Sequence, residues 1–131
     1  MSKKKNVRAG YEKTVEAYTK FLEENGYVVP EADSWKTRYE KVECSDGSSY
    51  DDYTIYFSPL GYEEAKSLEK KLLEKAIVPD PFSWDEVDEA EDGSFFSLND
   101  EGLFQLKGTD MWLWVWIYSD DNCGISLVTS V

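Results

Sequence analysis

The densest chemistry in this sequence is carboxylate. Residues 85–92 hold six acids in eight positions: Asp85, Glu86, Asp88, Glu89, Glu91 and Asp92. Ser83 followed three residues later by Glu86 is a capping-box pattern, so a helix can begin here. In such a helix Trp84, Val87 and Ala90 share one side, and Asp85, Asp88, Glu89 and Asp92 occupy an arc of about 100° on the other. Eight helical residues span about 12 Å, a length over which duplex DNA carries about seven charges. The charge density of the segment is therefore comparable to that of DNA. Its like-charge pairs, Asp85/Glu89 and Asp88/Asp92, each oppose helix formation by roughly 0.2–0.5 kcal/mol. Two readings follow: a solvated acidic loop that keeps the chain in solution, or a surface that occupies a basic groove.

The second feature is the run 111–118, Met-Trp-Leu-Trp-Val-Trp-Ile-Tyr. As a strand it presents Trp112, Trp114, Trp116 and Tyr118 on one face and Met111, Leu113, Val115 and Ile117 on the other. A strand apolar on both faces is expected at the centre of a sheet, covered on both sides. The sharper alternative is an exposed aromatic face that binds a sugar, a base or a protein partner. An aromatic platform for nucleic acid normally comes with cations, and only Lys107 lies nearby.

Other chemistries are weakly supported. The chain has no histidine, which removes Ser-His-Asp and Cys-His catalysis and the histidine-containing zinc sites. Asp110, Asp120, Asp121 and Asn122 supply oxygen ligands that could converge on a hard cation, but their spacing is not that of an EF-hand and turn propensity explains the same residues. Carboxylate pairs can hydrolyse glycosides, yet 27 acids make some pairs inevitable. Cys44 and Cys123 fall at turns, lack a histidine to activate them, and are expected to be inert free thiols. No glycine-rich phosphate loop is present, and no cofactor or metal is expected.

The elements that must position these residues follow from periodicity. Tyr11, Val15, Tyr18 and Leu22, widened by Phe21, predict a helix over residues 7–25 that stops at Asn25-Gly26. Residues 35–43 and 50–58 predict a hairpin turning near Asp46-Gly47. Its second strand sends Tyr53, Ile55 and Phe57 to the core and Tyr50, Asp52, Thr54 and Tyr56 to the wet side. A second helix over residues 62–76 buries Ala65, Leu68, Leu72 and Ala76, with Leu73 beside them, and ends before Pro79 and Pro81. Strands are expected over residues 94–98, 103–107, 111–118 and 124–131, the last an exposed strand open to pairing. Hairpin-sized connections imply an α+β two-layer fold: a mostly antiparallel sheet of five or six strands, with two main helices on one face.

Length and charge complete the picture. The 131 residues suit a single domain, with residues 1–6 a frayed basic head that Arg8 extends. The net charge of -13 is concentrated: residues 76–131 carry Lys107 against 12 acids. Such a protein is repelled by nucleic acid and by anionic membranes, and it attracts basic proteins. No secretory signal and no membrane-spanning apolar run is evident, so a cytoplasmic location is expected. The leading expectation is a non-enzymatic acidic inhibitor that mimics nucleic acid and occupies the basic surface of a nucleic-acid-handling protein, as anti-restriction and anti-CRISPR inhibitors of phage do. Its contact residues would be Asp85, Glu86, Asp88, Glu89, Glu91 and Asp92, with Trp84, Tyr50 and Tyr56 as anchors. An immunity protein against a basic toxin shares the same physics. A small-ligand or carbohydrate-binding domain built on the tryptophan strand is the third reading.

Overall fold

The element order is α1 (Glu12–Glu24), a 3-10 turn at Ala32–Ser34, β1 (Lys36–Glu43), β2 (Ser49–Leu60), α2 (Tyr62–Lys75), β3 (Phe95–Ser97), β4 (Leu103–Leu106), β5 (Trp112–Ser119) and β6 (Asn122–Val128). This is the architecture of a computed structural model that describes residues 7–77, 88–97 and 103–129. The six strands form one sheet in the order β1-β2-β6-β5-β4-β3, and every pairing between them is antiparallel. Both helices pack on one face, so the fold is two-layer α+β.

Each helix is set by its apolar stripe. Val15, Tyr18 and Leu22 of α1 are fully buried, as are Ala65 and Leu72 of α2. They meet the inward row of the sheet: Tyr53, Ile55, Leu113, Val115, Ile125, Leu127 and Phe104. Tyr18 also fastens α1 to the sheet, since its hydroxyl donates to the Met111 carbonyl at 2.7 Å and accepts from the Leu106 amide at 2.8 Å. At the end of α1 the Gly26 amide donates to the Glu23 carbonyl and the Tyr27 amide to that of Leu22. That is a Schellman closure, and Gly26 takes the left-handed φ of 89° it requires.

Three expectations are corrected. Helix α1 begins at Glu12, not at residue 7, because Gly10 at φ 97° makes a turn in which the Tyr11 amide donates to the Arg8 carbonyl. Arg8 does not belong to a frayed head: its guanidinium lies 3.3 Å from the Tyr39 ring centroid and its amide donates to the Tyr53 hydroxyl. Residues 1–6 lie outside the described residues. The final strand is not an exposed edge: β6 sits between β2 and β5, and Cys123 to Val128 are all buried. An edge position leaves half of a strand's backbone groups unpaired; the long β6 ladders to both neighbours satisfy them instead.

The crossover explains how the open face arises. Helix α2 carries the chain from β2 to β3 at the far edge, over the same layer as α1. The opposite face of the sheet has no helix among the described residues. Among the described residues the tryptophan strand is therefore central, with α1 and α2 both covering the same one of its two sides. Leu113 and Val115 are buried against the helices, while Trp112, Trp114 and Trp116 are half-buried on the open side. No helix among the described residues is long and apolar enough to cross a membrane.

Candidate functional site

The open face is built by a register that sets large residues against small ones. Trp112 pairs with Val128, Trp114 with Ser126 and Trp116 with Gly124. Gly124 and Ser126 leave a trough in β6, and the Trp116 ring leans into it. The Trp116 indole lies over the Gly124 backbone so closely that a Cβ there would sit 2.3 Å from its Cζ2. Its Nε1–H donates to Ser126 Oγ at 3.1 Å. Trp112 Nε1–H donates to Gln105 Oε1 at 3.0 Å, and the Gln105 amide donates onward to the Thr109 carbonyl at 2.9 Å. Both indole N–H groups are thus satisfied, which is what a partly desolvated tryptophan requires.

The tyrosines extend the ladder. Tyr56, projecting from β2, stands edge-on to Trp116 with ring centroids 6.4 Å apart. Tyr118 lies 5.6 Å from Trp116 and 6.1 Å from Trp114. Tyr56 is 42% exposed and Tyr118 66%. The result is an aromatic surface held in fixed orientation and open to solvent at its rim.

Carboxylates gather at both ends of this ladder. The Trp112 end leads into the turn between β4 and β5, which holds Lys107 and Asp110. The 88–94 segment is tied to that turn: the Gly93 amide donates to the Lys107 carbonyl at 2.9 Å, and the Lys107 amide to that of Ser94 at 2.8 Å. Asp88 and Glu89 are helical, and Asp88, Glu89, Glu91, Asp92 and Asp110 are exposed. Lys107 Nζ donates to the backbone carbonyls of Asp88, at 2.8 Å, and Ala90, at 2.5 Å. It closes the end of a helical turn. The single cation of residues 76–131 is thus held on main-chain oxygens. At the other end of β5, Asp120 and Asp121 form the exposed turn beside Tyr118, with Ser119 Oγ donating to Asp121 Oδ1 at 2.6 Å.

Of the contact residues expected from sequence, Asp88, Glu89, Glu91 and Asp92 are exposed together, and Tyr56 joins the ladder. Trp84, Asp85 and Glu86 lie outside the described residues. Tyr50 is 49% exposed but pairs with Val42 near the hairpin end, six residues and about 20 Å along the strand from Tyr56. By alternation it shares a face of β2 with Tyr56, at the far end of the strand. The suggested cation site fails on distance: Asp110 precedes β5 and Asp120 follows it, so about 25–30 Å separates them. Among the described residues no group of three potential metal ligands converges. Cys44 is exposed, Cys123 is buried, and both are free.

Trp116, Tyr118, Gly124 and Ser126 were not singled out as a unit from sequence. A signal for them exists. Folding residues 111–131 back at Asp120-Asp121 places Trp-x-Trp opposite Ser-x-Gly, a large-against-small pairing that a strand buried on both faces would not need.

A polar cluster lies on the helix side of the β1–β2 ladder. Asp51 accepts from the Tyr39 hydroxyl at 2.9 Å and the Tyr11 hydroxyl at 3.0 Å. The Tyr39 and Tyr11 hydroxyls hold the Asp51 carboxyl below its ordinary pKa. Burial, then the bond to Asp51, pushes the Tyr11 hydroxyl up to about 12. Each group is committed to one protonation state across neutral pH, and the cluster tethers α1 to the hairpin.

No protein family, curated protein or solved structure was found to match the chain.

Proposed function

We propose that this protein is a non-enzymatic, cytoplasmic binding protein that inhibits a basic, nucleic-acid-handling partner by covering its nucleic-acid surface. The observation that carries the reading is the open sheet face: an oriented aromatic ladder with exposed carboxylates at both ends. Aromatic residues are enriched at the energetic centre of protein interfaces, and charged residues at the rim govern the rate of encounter. The ladder supplies the apolar centre. Asp88, Glu89, Glu91 and Asp92 at one end, and Asp120 and Asp121 at the other, supply charge that meets Lys and Arg where phosphates would otherwise sit. A net charge of -13 adds long-range steering and keeps the protein off nucleic acid itself.

The test is competition. A panel of purified basic nucleases and nucleic-acid-binding proteins is loaded with a fluorescent DNA duplex, and the protein is titrated in at low and at high salt. It is expected to displace the duplex from a member of the panel, less effectively as salt rises. The variant D88K/E89K/E91K should associate about tenfold more slowly, and Tyr118→Ala should chiefly raise the dissociation rate. If the charge-reversed variant competes as well as the wild type, the acidic end takes no part in binding and the proposal fails.

A further inference from the structure

A groove of about 370 Å³ lies at the β2 flank of the ladder, lined by Ser34, Lys36, Tyr56, Phe57, Ser58, Pro59 and Trp116. It exists because β1 stops short: Lys36 pairs with Tyr56, and residues 57–60 of β2 have no partner on that side. The volume falls in the range of small-molecule sites, roughly 300–1,000 Å³. Two properties of the lining bear on its ligand. It contains no acid, although the chain carries 27. It contains one cation, Lys36, which is exposed and has no ion-pair partner among the described residues. In a protein of net charge -13, this acid-free lining with one cation is a place suited to a small anion.

The remaining walls specify the rest of the ligand. The Trp116 indole is immobilised by Gly124 beneath it and by its bond to Ser126 Oγ. Trp116 lines the groove half-buried, and the negative potential of an indole ring attracts the slightly positive C–H bonds of a saturated ring. Tyr56 stands nearly perpendicular to it, at 80°, as a side wall. Ser34 Oγ donates its proton to the Glu31 carbonyl at 2.7 Å and keeps lone pairs for a ligand hydroxyl. The unpaired side of β2 offers main-chain groups beside it. A stacking wall, hydroxyl acceptors and one ammonium match a pyranose ring that bears a carboxylate.

We propose that this groove is a binding site for a sugar acid of the hexuronate class, with the ring on Trp116 and the carboxylate on Lys36. The site stands independently of the inhibitor reading but shares Trp116 and Tyr56 with the ladder. The experiment follows the Trp116 Nε1–H resonance of the isotope-labelled full chain during titration with glucuronate, glucose, benzoate and acetate. Saturable movement of that resonance is expected with glucuronate, at least tenfold weaker binding with glucose or benzoate, and none with acetate. Lys36→Glu, at an exposed position, should keep the fold and weaken glucuronate at least tenfold; Trp116→Phe should weaken both sugars together. The proposal is overturned if glucuronate produces no saturable shift, if Lys36→Glu binds it as well as the wild type, or if benzoate binds equally tightly.

Discussion

Gly124→Ala tests how the open face is built. The added methyl would lie 2.3 Å from Trp116 Cζ2, 2.7 Å from Cε2 and 2.9 Å from Cη2. Ordinary carbon contacts are about 3.5–4.0 Å, so the indole must retreat by more than about 1 Å. Displacing a packed ring costs about 1–3 kcal/mol. The retreat also breaks the bond to Ser126 Oγ, a further loss of roughly 0.5–1.5 kcal/mol. Gly124 does not adopt a left-handed φ, so alanine fits the backbone and recovers about 0.4–1 kcal/mol by restricting the unfolded chain. The net expectation is a destabilisation of about 2 kcal/mol, or a fall in Tm of roughly 6–8 °C for a chain of this size. Urea unfolding followed by circular dichroism and by tryptophan fluorescence measures it. In a Trp116→Ala background the methyl meets open space, and the same substitution should become neutral or stabilising, giving a coupling of about 2 kcal/mol. A Gly124→Ala variant as stable as the wild type, with the Trp116 indole resonance unmoved, would refute the claim that Gly124 seats the ring.

Further consequences concern the buried hydroxyls and the Asp51 cluster. Tyr18→Phe deprives the buried Leu106 amide and Met111 carbonyl of their shared partner and should destabilise by about 2 kcal/mol; a loss below about 0.5 kcal/mol in urea unfolding would mean that this hydroxyl does not hold α1 to the sheet. Burial raises the Tyr11 and Tyr18 hydroxyls to about 12, above their ordinary value of 10.0, so their contribution is complete below pH 10 and is lost as pH climbs towards 12. Asp51 is shifted the other way, so its contribution is present above the ordinary carboxylate range and is lost as pH falls below about 4. Asp51→Asn should remove part of the acid loss and the part of the Tyr11 shift that Asp51 imposes, leaving the shifts that burial imposes on Tyr11, Tyr18, Tyr27 and Tyr53 to steepen the alkaline limb. Urea midpoints across pH read both limbs, and superimposable profiles for wild type and variant would sink the assignment.

Much of the architecture was legible in local pattern. Val15, Tyr18 and Leu22, and Ala65, Leu68 and Leu72, mark helix faces because the 3.6-residue period is a property of the chain itself. Alternation across Tyr53, Ile55 and Phe57 likewise fixes which side of β2 is buried, and Asp46-Gly47 marks its hairpin. The acidic half, with Lys107 as its one cation, is a matter of composition. Strand order is not local. That β6 lies between β2 and β5 depends on contacts about 70 residues apart in the chain, such as Leu127 with Ile55, and no short-range signal encodes them. For the same reason the sequence could identify two faces of the tryptophan strand but not which lay open; that was decided when α1 and α2 both packed on one layer. Gly124 and Ser126 illustrate the difference. As letters in a sequence they mark a turn or a weak strand, and they become the seat of Trp116 only once antiparallel pairing sets a residue without a side chain beneath the largest one in the chain.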